Sequence, residues 1–189
     1  ISSHKIFGPK SIGALYVRRN TGIAPIMFGG GPKLRPGTGD PAAVTGFGQA
    51  CKIAGDKLDE TMRKCSEIRD YFEEKINALP YETKFNGNLD SRVCNTSNVS
   101  FIGQYASTLS EMFDERGIAV STGAACSTKD SKSRVLTAMG LPPLELYGAL
   151  RFSFSADTTK DDIDYTVDQL AEILKSTTNS GTESEILSL

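Results

Sequence analysis

An α/β fold is what this sequence predicts, and three observations predict it. From Asn98 onward, short apolar strands alternate with amphipathic helices. Between Val44 and Ile76, apolar residues recur at steps of three or four, the spacing of one helical face. Ahead of that stretch stand a single apolar strand and a glycine-rich loop, too little to bury each other. The 189 residues suffice for one good core or two small ones.

Residues 12–17 (IGALYV) are apolar, β-branched and aromatic, follow a Gly8-Pro9 turn, and read as a buried strand. GGGPKLRPGTGDP, from Gly29, is too irregular for an element and reads as a loop. Asp40 and Pro41 form a helix start, an acidic cap followed by proline at the first helical position. The periodic stretch behind them gives one long helix, or two nearly collinear ones, ending before Pro80, with Gly55 as a bend. Residues 98–101 (NVSF) are a short strand; residues 107–116 are a helix with Leu109, Met112 and Phe113 inward, stopped by Gly117. Residues 118–120 are a further short strand, leading into STGAACSTKDSKS, a polar stretch around one thiol. A short helix over 134–139 ends at Gly140 and Pro142-Pro143, and residues 150–154 (LRFSF) alternate as a half-buried strand. Thr158 and Thr159, with Asp161 and Asp162 three residues on, resemble a capping box. The last helix buries Ile163, Val167, Leu170 and Leu174, and from Ser176 the composition is that of a disordered tail.

A net charge of −2 gives no nucleic-acid footprint, and no apolar run is long enough to cross a bilayer. Cys51, Cys65, Cys94 and Cys126 are scattered, with no C-x-x-C pair, so neither a metal site nor a disulfide framework is expected. Cys51 and Cys65 lie on the apolar helical stripe and read as small core residues. Cys94, just before a strand, reads as structural.

Four places could carry chemistry. A lysine amine is a nucleophile where it can form a Schiff base; Lys5 follows His4, the sole histidine, and precedes the Gly8-Pro9 turn. A plain surface lysine is the alternative. The glycine loop has backbone N–H groups and the Thr38 hydroxyl, which could cradle phosphate, but it lacks the G-K-[ST] of a P-loop and equally suits a surface loop. Cys126 follows small residues and precedes polar ones, a setting that suits an exposed nucleophile, with Lys129 and Lys132 favouring its thiolate; an incidental thiol is the alternative. In LRFSF, Leu150, Phe152 and Phe154 share one face and Arg151 the other. Arg151 is either part of a solvated face or a guanidinium aimed at a carboxylate.

The order of these signals is more specific than any one of them. S-x-H-K-x-x-G-P-x-x-x-G-A-L-Y, then GGG with R-x-G-T, N-T-S-N-x-S-F, S-x-G-x-A-C-S, A-L-R-F-S and T-T-x-x-D-I-D run in series from Ser2 to about Leu174. This series resembles the NifS-like cysteine desulfurases, class V members of the fold-type I pyridoxal-phosphate (PLP) enzymes; selenocysteine lyases are close relatives. The resemblance implies the C-terminal part of a PLP-dependent transferase-like fold. Residues 1–60 would be a remnant of the large PLP-binding domain, 61–175 a small C-terminal α/β domain and 176–189 a tail.

The resemblance also implies roles. Lys5 resembles the lysine that holds PLP covalently, and Ser2 and His4 the side chains that contact its phosphate. Thr38 resembles a threonine that reaches the phosphate bound by the other subunit, which implies a homodimer. Cys126 resembles the nucleophile that takes the substrate sulfur as a persulfide, and Arg151 the arginine that holds the substrate carboxylate; Asn98 lies in a motif near that site. The implied reaction converts L-cysteine to L-alanine and an enzyme persulfide, which serves iron–sulfur cluster assembly or another sulfur-acceptor protein. Neither nucleic acid nor membrane is an expected partner. The implied setting is the cytoplasm, or the mitochondrion in a eukaryote. Rival readings are a selenocysteine lyase and a non-catalytic paralogue acting as a binding or dimerisation domain.

Three departures from the family qualify this. The preceding half that family members carry, with most of the cofactor pocket, does not stand before Ile1, so the expectation is a C-terminal half that is inactive alone. The glycine loop is shorter than the family's, and the tail does not resemble the segment that docks a sulfur acceptor.

Overall fold

A computed structural model describes residues 1–31, 34–122 and 133–178. The chain divides into two compact units, Ile1–Leu58 and Asp59–Leu189.

The first unit opens on a tight double crossing of the chain. Ser2 bridges Gly13, the Ile1 amino group donates to Ala14 O (2.7 Å), and Ser3 N donates to Ile12 O (3.0 Å). Between these contacts Ser3–Ile6 form a 3-10 helix, closed by Phe7 in the left-handed region at φ 62°. The strand expected over 12–17 does not form: only Gly13 pairs, and Leu15 and Tyr16 are 74% and 86% exposed. A strand needs hydrogen-bonding neighbours and a surface to bury its side chains against. Among the described residues of this unit, 12–14 find a partner on one edge only, in Ile1–Ser3, and 15–17 find none.

The glycine loop is irregular, as its sequence suggests. Gly37 N donates to Gly30 O (2.9 Å), and Gly37 sits at φ 111°, a conformation that side chains resist. Helix α1 (Pro41–Asp56) starts where expected: Asp40 accepts from Ala43 N at 3.0 Å and Pro41 occupies the first position. Its apolar stripe is only partly covered. Phe47 and Ala50 are buried, while Val44, Ile53 and Cys51 are exposed. The core role expected for Cys51 is therefore wrong. Periodicity marks which face of a helix is apolar; it does not supply the surface that covers that face.

The helix ends at Lys57, which leaves the α-region at φ −104°, ψ 4°, so the periodic stretch is two helices. The break falls two residues after Gly55. Helix α2 (Leu58–Asn77) then runs into the second unit.

The second unit contains β1 (Thr83–Phe85), β2 (Thr96–Phe101), α3 (Ala106–Asp114), α4 (Arg134–Ala138), α5 (Pro143–Tyr147), β3 (Ala149–Ser153) and α6 (Lys160–Thr178). The strands form an antiparallel sheet in the order β1-β2-β3. Strand β1 and helix α5 were not anticipated. Strand β1 is only three residues, TKF, with no alternation to read, and Pro142-Pro143 signalled a helix end although Pro143 also opens α5. The strand expected over 118–120 is reduced to a single bridge, Ser121 with Arg151. Helix α6 runs to Thr178, so the first residues of the expected tail are helical.

Alternation along β2 and β3 sorts their side chains. Val99, Phe101, Leu150 and Phe152 face the core, and α2, α3 and α6 cover that face with Phe72, Phe113 and Leu170. Phe72 is fully buried, its ring 4.6 Å from that of Phe152 and 5.4 Å from that of Phe154. Helix α6 begins with a reciprocal cap, Asp162 N donating to Thr159 Oγ1 (3.1 Å) and Thr159 N to Asp162 Oδ2 (2.9 Å). Among the described residues no helix is long and apolar enough to cross a membrane.

Candidate active site

Ser2, His4 and Lys5 lie together on the opening turn of the first unit. The turn is held from both ends: Lys5 N donates to Ser2 O (3.1 Å) and Gly8 N to Ser3 O (3.0 Å). Ser3 is fully buried under the turn. A Cβ at Gly8 would collide with the Ser3 hydroxyl and press to 3.0 Å on Ala50 of α1, so only glycine allows this approach. The buried Ser3 thus anchors the backbone, while Ser2, His4 and Lys5 present their side chains to solvent.

This donor set fits PLP. Lys5 supplies a primary amine that can condense with an aldehyde, and the Ser2 hydroxyl and His4 imidazole can donate to a phosphate. Thr38 belongs to the same unit and is exposed in the loop before α1. Cys126 lies outside the described residues.

In the second unit, Asn98 and Arg151 stand directly opposite one another on β2 and β3. Arg151 spends both backbone groups on Ser121, its N–H at 2.7 Å and its C=O at 3.2 Å, while Asn98 C=O accepts from Asn86 N at 2.8 Å. Asn98 and Arg151 are therefore a non-hydrogen-bonded pair, the kind that brings side chains closest, with Cα atoms about 4.5 Å apart.

The pairing extends sideways. Asn86 continues the register of β1 to face Asn98, and Ser121 bridges Arg151, so Asn86, Asn98, Arg151 and Ser121 form one polar rung across the face opposite the core. Asn86 Nδ2 donates to Asn98 Oδ1 (2.8 Å) and to Ser100 Oγ (2.7 Å), and the Arg151 guanidinium donates through Nη2 to Ser121 Oγ (3.2 Å). The Arg151 Nε–H is buried without a hydrogen bond among the described residues. A buried donor lacking an acceptor costs about 1–3 kcal/mol; an incoming carboxylate would satisfy it.

Sequence reading placed Asn98 and Arg151 in the site but missed Asn86, Ser100 and Ser121. Asn86 had a signal, since Asn-Gly marks a turn at a strand end; what it faces is set by the register. Cys65 is buried beside Cys94, and its thiol is pushed up first by burial and then by Cys94, which makes it a poor nucleophile and agrees with a core role.

A profile of the aminotransferase class-V family matches residues 1–166. A cysteine desulfurase IscS of Clostridium botulinum (strain Kyoto / Type A2) is 38% identical over 180 residues, and one of Dictyoglomus turgidum is 36% identical over 178 residues. Each alignment covers 93% of this chain and 45% of the relative, so the chain spans somewhat less than half the length of these relatives. A solved NifS-like protein is similar with a TM-score of 0.79 and 31% identity, over 92% of this chain and 45% of its own.

Proposed function

Because this chain belongs to the aminotransferase class-V family, we propose that it carries the cofactor lysine and the substrate-carboxylate site of a PLP-dependent cysteine desulfurase. The observation that carries this reading is Arg151, a guanidinium on a polar rung with a buried Nε–H that has no acceptor among the described residues. The similarity to named cysteine desulfurases along nearly the whole chain supports it.

In this reading Lys5 would hold PLP through its amine, and Ser2 and His4 would donate to its phosphate. When bound, PLP supplies an electron sink for the α-carbon of an amino acid. Arg151, beside Asn98, orients L-cysteine by its carboxylate. The Lys5 amine would move a proton at the α-carbon of the substrate. The Cys126 thiolate attacks the substrate sulfur; the substrate Cβ–S bond breaks, an S–S bond forms on Cys126, and the carbon skeleton leaves as L-alanine. Atoms balance, since one thiol and one cysteine give one persulfide and one alanine. Thr38 reaches the phosphate of the opposite subunit in a homodimer, and a sulfur-acceptor protein then discharges the persulfide. The cytoplasm, or the mitochondrion of a eukaryote, is the setting this reading assumes.

The test adds PLP to the purified chain, alone and with the part of a matched relative that this chain does not span, and then reduces with borohydride. The expected result is a label on Lys5, absent in Lys5→Ala, and release of alanine from L-cysteine with sulfur on Cys126. No label on Lys5 in either preparation overturns the reading.

A further inference from the structure

Asn98 stands on the polar rung with its amide oxygen held by Asn86. Asn86 Nδ2 holds Asn98 Oδ1 at 2.8 Å and Ser100 Oγ at 2.7 Å. The strand order is β1-β2-β3, so an Asn98 oxygen turned toward β1 leaves its NH2 on the side of β3 and Arg151. Among the described residues that NH2 has no hydrogen bond, and the Arg151 Nε–H across the strand pair is buried with none. Two donors thus share one side of the rung without an acceptor among the described residues. Asn86 Oδ1 is itself buried and unpartnered, so this amide serves the rung through its donors. Turning Asn86 over would set oxygen against oxygen at Asn98, and Asn98 would have to turn with it, carrying its NH2 away from Arg151. The two amides are a coupled pair.

We propose that Asn86 is a positioning residue: by holding the Asn98 oxygen it sets the Asn98 NH2 beside the Arg151 guanidinium, and the two together bind the α-carboxylate of an amino acid. This rests on the reading of Arg151 as the carboxylate anchor. Asn86 reaches the carboxylate only through Asn98.

The experiment titrates the isotope-labelled full chain, without PLP, with L-alanine as the carboxylate probe. It follows the Arg151 Nε–H and Asn98 side-chain amide signals. Asn86→Ala and Asn98→Ala are each expected to weaken binding about fivefold, the scale of one lost hydrogen bond. The double variant is expected to be no weaker than Asn98→Ala, because Asn86 has no route to the ligand once the Asn98 amide is gone. Asn86→Asp, similar in shape but able only to accept, draws the Asn98 NH2 to itself and weakens binding more than Asn86→Ala; it also serves should the alanine variant fail to fold. Equal affinity in Asn86→Ala and the unmodified chain, or penalties that multiply in the double variant, overturn the positioning role. A purely structural Asn86 would lower the melting temperature and leave affinity unchanged. If Arg151→Gln leaves affinity unchanged, the anchor reading falls instead, so the two failures are distinguishable. No response to L-alanine in the unmodified chain overturns both.

Discussion

Asn98 and Arg151 face each other across β2 and β3 as a non-hydrogen-bonded pair, the Asn98 C=O turned outward to Asn86 and both Arg151 backbone groups to Ser121. Pairs of this kind bring the two side chains closest on one face of the sheet. In the desulfurase proposed above, Arg151→Lys should raise KM for L-cysteine about tenfold or more, because a point charge replaces a planar fork. The change in kcat should be smaller, as a ground-state contact is lost along with the transition-state one. Steady-state kinetics with circular dichroism as a fold control checks this; an unchanged KM removes Arg151 from the site.

Phe72 joins helix α2 to the sheet through Phe152 and Phe154, and it is fully buried. Phe72→Ala should cost about 3–5 kcal/mol, the transfer term plus a cavity that rings on two sides prevent from collapsing. Urea unfolding with unchanged m-value is the measurement. A loss under about 1 kcal/mol would mean that this core is far more plastic than close packing allows.

Asp164 gathers the charges between α2 and α6. It accepts from Tyr71 Oη at 2.8 Å and pairs with Lys75 Nζ at 2.8 Å, while Lys160 Nζ lies 4.7 Å from the Tyr71 ring centroid. Lys75 first and Tyr71 second hold the Asp164 carboxyl below the ordinary 3.8. The stability this gives is present above that value and is lost as pH falls through the lower folded one. The Asp164 and Tyr71 hydrogen bonds raise the Lys75 ammonium above its ordinary 10.5, so its contribution is complete below 10.5 and is lost as pH rises through the higher folded value. Asp164→Asn should therefore flatten both limbs of the stability–pH profile while leaving its shape near neutrality. A melting-temperature series across pH checks this, and an unaltered acid limb would show that the pair is not formed in solution.

Phe7 closes the turn that carries Lys5 with φ 62°, yet its side chain is 93% exposed and contributes little packing. A left-handed conformation costs a non-glycine residue roughly 1–2 kcal/mol. Phe7→Gly should raise stability by somewhat less than about 1 kcal/mol, since glycine also gains freedom in the unfolded chain. A destabilised variant in differential scanning calorimetry would show that the Phe7 ring packs in solution.

Much of this was legible in the chain itself. The Asp40-Pro41 start, the inward Leu109 and Phe113 and the Thr159–Asp162 cap are local statements about neighbours three or four residues apart, and each is found as expected. Lys5, Arg151 and Asn98 were nominated by motif order, and the structure sets the last two side by side. The strand over 12–17, the buried Cys51 and the strand over 118–120 were misread for one reason. Apolar patterning states what a segment would bury, whereas a strand or a core position also needs a partner from elsewhere in the fold.

By itself, then, the sequence determined the helical stretch from Pro41 onward, helices α3, α4 and α6, the Asp40 and Thr159 caps, the alternation of LRFSF and the family to which the chain belongs, because all of these are carried by residue identity and spacing. The tertiary structure alone decided that Asn86, Asn98, Arg151 and Ser121 make one rung. Cross-strand register joins residues up to 65 positions apart, and a slip of a single residue would send Arg151 into the core.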